Sequence, residues 1–138
     1  MGASTVVASA AGAAIDFNRD IRPLLSSRCV ACHGPDEEQR AAGLRLDTEA
    51  GSRADLGGYV AIQPGDPEQS EILARLASDD EEMRMPPQGK GDPFSAEEIE
   101  LVRRWIEQGA HYANHWSYEK PTRPALPQVE QVEWIRNP

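Results

Sequence analysis

The sequence predicts an all-α domain of about three main helices, and three observations carry that expectation. Apolar residues recur at helical spacing in three separate stretches. The second and third of these open on capping-box patterns. The chain between the first and second is rich in glycine and charge, with only Leu44 and Leu46 alternating around Arg45.

The first helix is expected between Asp16 and His33, where Phe17, Ile21, Leu24 and Leu25 form the apolar stripe and Asp16 stands as N-cap. Pro23 has no N–H and crowds the preceding turn, so a kink or restart is predicted near Arg22. Residues 34–65 read as mostly loop, with at most short extended pieces. The second helix is expected from Asp66, with Pro67 at its first position, Gln69 completing the box, and Ile72, Leu73 and Leu76 buried. The third follows Ser95, whose hydroxyl can cap Glu98 while that carboxylate reaches back. Ile99, Val102 and Ile106 form its stripe, Leu101 and Trp105 widen it, and Gly109 ends it.

At 138 residues the chain fits one globular domain with tails. No apolar run approaches the roughly 18 to 20 residues that cross a bilayer, so no transmembrane segment is expected. A net charge of -9 repels a phosphate backbone and argues against a nucleic-acid partner. Residues 1–15 are small and mostly apolar, with an A-x-A run at Ala8 to Ala10, and read as the remnant of a signal peptide or as a start added for expression. Pro121, Pro124 and Pro127 recur at intervals of three, which favours an extended linker over residues 117–138. The folded domain is therefore expected at 16–116, as a monomer.

The chemistry concentrates in Cys29-Val30-Ala31-Cys32-His33, and these are the only two cysteines. On one helical turn Cys29, Cys32 and His33 lie at i, i+3 and i+4, so all three side chains leave one face. Two thiols and an imidazole at that spacing suit covalent attachment of one haem c, through two thioethers with His33 as axial ligand to iron. Gly34-Pro35 follows at once and breaks the helix. The Pro35 carbonyl is a candidate acceptor for the second imidazole nitrogen, a contact that sets the tautomer.

A haem that carries electrons needs a sixth ligand. Met85 is the first candidate, because Pro86 and Pro87 stiffen the loop that holds it. Met83, two residues away, is the lesser one. His115 is the alternative ligand. His111 and His115 also complete a zinc-like C-x-x-C and H-x3-H set, but their separation from Cys32 far exceeds the roughly 12 to 15 residues of zinc fingers. Arg45 and Arg53 are candidate partners for haem propionates, since a guanidinium matches a carboxylate bidentately. The acidic run Asp79 to Glu82 is a candidate for steering a basic redox partner.

Several stretches in order carry a resemblance. They are Asp16-Phe17-Asn18-Arg19-Asp20-Ile21-Arg22-Pro23, the Cys29 to His33 motif with Gly34-Pro35-Asp36, Gly43-Leu44-Arg45-Leu46-Asp47 and Pro64-Gly65-Asp66-Pro67. Met85-Pro86-Pro87, Trp105-Ile106 with Gly109-Ala110, and His115-Trp116 follow. Together they resemble the planctomycete-type cytochrome c domains at the start of large multidomain secreted or periplasmic proteins. The resemblance implies an all-helical cytochrome c fold with His33 proximal and Met85 distal. It also implies a periplasmic or secreted fragment, with 121–127 and Trp134 to Pro138 leading to downstream domains. The loop between His33 and Met85 is longer than in small soluble cytochromes c.

The expected function is a mono-haem, His/Met-ligated module that exchanges single electrons with a redox partner protein or with downstream domains of the same parent. A haem sensor or gas-binding module and a zinc-bound structural module are the alternatives. No nucleophile-base pair or paired carboxylates stand out, so no enzymatic site is expected within this chain.

Overall fold

The structure is a computed structural model that describes residues 13–118 with Lys120, Pro121 and Arg123. The expectations for residues 1–12, for most of the proline-spaced segment and for Trp134 to Pro138 lie outside the described residues. The described residues form helices and turns, with no strand among them. Only isolated bridges pair Val60 with Asp55 and with Ser70. None of their helices is long and apolar enough to cross a membrane.

The first helical stretch starts where expected. The Asp16 carboxylate accepts from the Arg19 N–H at 2.8 Å, and the Asp16 N–H donates to Asp20 at 2.9 Å. The opening is a π-turn, Phe17–Ile21, in which the Arg22 N–H reaches the Phe17 carbonyl. Regular helix α1 follows at Arg22–Arg28. The wider turn sits immediately before Pro23, so the restart predicted at Arg22 takes the form of a π-to-α junction.

The loop from Gly34 contains one short helix that periodicity did not reveal, α2 at Glu49–Ser52, capped by Thr48. The Asp66 pattern has a different outcome from the one expected. Its carboxylate accepts from the Gln69 N–H, but this closes a single turn, and helix α3 begins only at Glu71, running to Leu76. Ser70 is the reason. Its hydroxyl donates to the Asp66 carbonyl at 2.8 Å and accepts from the Gln63 N–H at 2.9 Å, which closes residues 63–70 as a turn around the buried Ser70 side chain. Ile72, Leu73 and Leu76 form the buried face of α3, as the pattern predicted.

Helix α4, Ala96–Glu107, opens on the complete Ser95 and Glu98 capping box. It ends in a Schellman motif: the Ala110 N–H donates to the Trp105 carbonyl and the Gly109 N–H to that of Ile106. Gly109 has φ +101°, which glycine adopts without penalty. The π-turn packs on α1 and on α4, and α3 packs on α4. Where the π-turn meets α4, Phe17, Trp105 and Tyr112 form an aromatic cluster with centroids 4.5 to 5.7 Å apart. The Tyr112 hydroxyl donates to the Leu46 carbonyl, and burial pushes its phenol up to about 12.

One ion pair joins the end of α1 to the start of α4. Arg28 donates through both terminal nitrogens to Glu98, and its guanidinium lies 4.3 Å from the Phe94 ring centroid. The Arg28 hydrogen bonds hold the Glu98 carboxyl below its usual value of 4.5. A carboxyl depressed in the folded state stabilises above its unfolded pKa and loses that contribution as pH falls through the folded one. Glu98→Gln is therefore expected to destabilise at pH 7 by on the order of 1 to 2 kcal/mol. Urea midpoints of the two proteins should converge as pH falls below 4.5. A gap that persists unchanged into acid would show that the charge on Glu98 is not what matters.

Candidate haem site

Helix α1 ends at Arg28, and the cysteine motif continues from it as a hydrogen-bonded turn. The Cys29 N–H donates to the Leu25 carbonyl at 2.9 Å, and the His33 N–H to the Cys29 carbonyl at 2.8 Å. That single α-turn gives the i, i+3, i+4 relation the spacing implied. Gly34 is required next: a Cβ there would lie 2.2 Å from the Val30 carbonyl oxygen, which no side-chain-bearing residue tolerates.

The loop then folds back over the motif. The Ala41 N–H donates to the Cys32 carbonyl and the Leu46 N–H to the His33 carbonyl, both at 2.8 Å. Backbone groups of a turn that leads into a core need such partners, and these two bonds deliver Leu44 and Leu46 to the same surface as the cysteines. Beyond the loop, Ala61 is held by the Ile72 N–H at 3.0 Å, so α3 and the segment before it arrive together.

The result is a cavity of about 170 Å³. Its walls include Cys29, Cys32 and His33 from the motif, Leu44, Leu46, Leu56 and Ala61 from the long loop, Ile72 and Leu76 from α3, and Met85 with Pro86 and Pro87. The cavity is apolar, it holds a thioether and an imidazole, and its two thiols are the only cysteines of the chain.

The donor set fits haem c: two thiols for thioether bonds, and a histidine and a methionine as axial ligands of the kind cytochromes c use. The electrostatics agree. Burial pushes the Cys29 thiol up to about 11, with Arg28 acting in the opposite direction, so the thiol is kept in its neutral form. Burial likewise lowers the pKa of His33, with a smaller opposing effect from the Ala41 backbone. A neutral imidazole is the form that ligates a metal. The His33 Nδ1 is buried without a hydrogen-bond partner of normal geometry.

Met85 reaches the cavity because its N–H donates to the Arg75 carbonyl at 3.0 Å, which pins the proline loop to α3. The Met85–Pro86 peptide is cis. Met83 is exposed and does not line the cavity. His111 and His115 do not line it either. The His111 carbonyl accepts from the Trp105 indole, and the His115 ring bonds Ser117. Among the described residues no three His, Cys, Asp or Glu side chains gather in a metal-binding cluster.

Three sequence candidates have other partners here. The Pro35 carbonyl accepts from Arg40 at 2.8 Å, so the turn that follows Gly34 is tied to Arg40 and not to the His33 ring. Arg45 closes on Asp47 two residues away, at 3.0 and 2.5 Å, and does not line the cavity. Arg53 pairs with Glu49 and caps the end of α4 through the Gly109 and Ala110 carbonyls. The cavity's charged rim is instead Arg28, Glu71, Arg75 and Lys90. The sequence held a partial signal for these: Arg28 adjoins Cys29, and Glu71 and Arg75 flank the apolar stripe of α3 at i and i+4. Nothing local marked Lys90.

Residues 29–89 match the model of the family described as Planctomycete cytochrome C. Neither the curated proteins nor the solved structures gave a match. The matched span opens on Cys29 and contains Cys32, His33 and Met85, the four side chains the fold gathers at one cavity. The match supports the resemblance of residues 29–89 to planctomycete-type cytochrome c domains.

Proposed function

We propose that the chain is a mono-haem c-type cytochrome domain that passes single electrons, with iron ligated by His33 and Met85. The observation that carries this reading is the convergence of both candidate ligands and both attachment cysteines on one apolar cavity. Haem iron supplies the one-electron chemistry when bound. The chain's contribution is to hold its two ligands. His33 is fixed by the α-turn to Cys29 and by the Leu46 bond to its carbonyl, and Met85 by the Arg75 carbonyl and the prolines. A site held on both sides moves little between oxidation states, which keeps the reorganisation cost low.

The cytochrome c-like fold would then extend beyond the family match, over 16–116, because the core runs from Phe17 to Ala110 as one cluster. A redox partner protein or downstream domains of a longer parent would receive or deliver the electrons. Covalent attachment of haem requires the compartment where cytochromes c mature, so the proposed location is periplasmic or secreted.

Expression with cytochrome c maturation should give an intact mass above the chain by one haem, and the haem should stay with the polypeptide on acid-acetone extraction. Expression without it should give a poorly folded apo chain. A haem that extracts freely would overturn covalent attachment. For the distal ligand, the oxidised wild type should show a weak sulfur-to-iron band in the near infrared, and Met85→Ala should lose it. The variant should also have a lower reduction potential and bind carbon monoxide readily at ferrous iron. An unchanged spectrum in Met85→Ala would remove Met85 as ligand. Ready carbon monoxide binding by the wild type without ligand displacement would favour a gas-binding role.

A further inference from the structure

The chain carries a net charge of -9, yet the rim of its cavity holds three cations, Arg28, Arg75 and Lys90, against one carboxylate, Glu71. Cations beside an apolar surface lose hydration, and that loss is offset only where anions meet them. Two anions of this kind belong to the group the cavity suits, since the porphyrin of haem c bears two propionate side chains.

The three cations differ in what they have left to offer. Both terminal nitrogens of Arg28 are taken by Glu98, and its plane is stacked on Phe94. Arg75 uses only its Nε, which donates to Glu71 at 2.9 Å, and its two terminal nitrogens have no partner among the described residues. Lys90 has no carboxylate partner among the described residues. Both also belong to the structure that presents Met85. The Arg75 carbonyl accepts from the Met85 N–H, and the Lys90 N–H donates to the Pro87 carbonyl, each at 3.0 Å. Arg45, the candidate read from sequence, is already closed on Asp47.

We infer that Arg75 and Lys90 receive the haem propionates, as positioning residues that act through the haem's carboxylates and not on its iron. The inference rests on the haem-domain reading above. Arg75 presents the planar edge that matches a carboxylate bidentately, and Lys90 supplies a flexible point charge. Glu71 holds the Arg75 side chain in place through Nε, leaving that edge available.

The test uses the full chain matured with haem, as wild type, Arg75→Gln, Lys90→Gln, Lys90→Arg and Arg45→Gln. Intact mass reports covalent haem, far-ultraviolet dichroism reports folding, and resonance Raman reports the propionate bending modes. The expected result is one haem per chain throughout. The propionate modes should shift in Arg75→Gln and Lys90→Gln, return towards wild type in Lys90→Arg, and stay put in Arg45→Gln. The reduction potential should fall in the two shifted variants, because a positive charge near the iron is lost. If Arg75→Gln fails to fold, Lys90→Gln and Lys90→Arg decide the matter. Haem-loaded variants with unchanged propionate modes, or a shift confined to Arg45→Gln, would overturn the assignment and leave the haem reading intact. A wild type without covalent haem would overturn the haem reading itself, and this assignment with it.

Discussion

The Arg28 and Glu98 ion pair ties the end of α1, and with it the cysteine turn, to the start of α4. Arg28 is the last residue of α1 and the neighbour of Cys29, while Glu98 caps α4 in the same geometry that receives the guanidinium. The Arg28 stem also approaches Gly91, where an added Cβ would lie 3.9 Å from its Cγ and 3.2 Å from the Pro86 Cγ. One side chain thus links the cysteine turn to the start of α4 and lines the same cavity as Met85. The pair is partly buried, and removing one partner of such a pair leaves the other charge poorly solvated. Its value is therefore greater as a positional constraint than as a source of net stability.

The two cysteines sit in unlike surroundings, Cys29 buried and Cys32 exposed. Burial suppresses ionisation of Cys29, so that thiol is not poised as a solution nucleophile or as a dithiol redox centre. The thioether of the proposed haem attachment would remove the ionisable group altogether, and an apolar setting would then carry no electrostatic cost. The same surroundings favour the neutral imidazole of His33. An environment that disfavours both charged forms suits a large apolar group and a neutral ligand.

The long loop between His33 and α3 acquires its role from hydrogen bonds. Ala41 and Leu46 return to the carbonyls of Cys32 and His33, Ile62 donates to the Ser52 carbonyl, and Ile72 to that of Ala61. Each bond satisfies a backbone group, and together they turn an irregular segment into one wall of the cavity. The segment contributes Leu44, Leu46, Leu56 and Ala61 without any strand of its own.

The sequence by itself determined the parts of this protein governed by local rules. The i, i+3, i+4 turn of Cys29, Cys32 and His33, the Ser95 and Glu98 box, the Gly109 stop and the Asp16 cap all depend on neighbours within a few residues, and all are legible as patterns. Met85 is preferred to Met83 as distal ligand because proline restricts the residue before it, and of the two only Met85 lines the cavity. What only the tertiary structure decided is which distant groups meet. The Asp66 turn stops short of a helix because Ser70 finds partners in Gln63 and Asp66, a competition invisible to a capping rule. Arg45 is a candidate by charge and position, but it closes on Asp47, and the charged residues at the cavity are Arg28, Glu71, Arg75 and Lys90. Side-chain pairing of this kind is settled by three-dimensional proximity and by competition for each charge, and neither quantity is written in the spacing of residues along the chain.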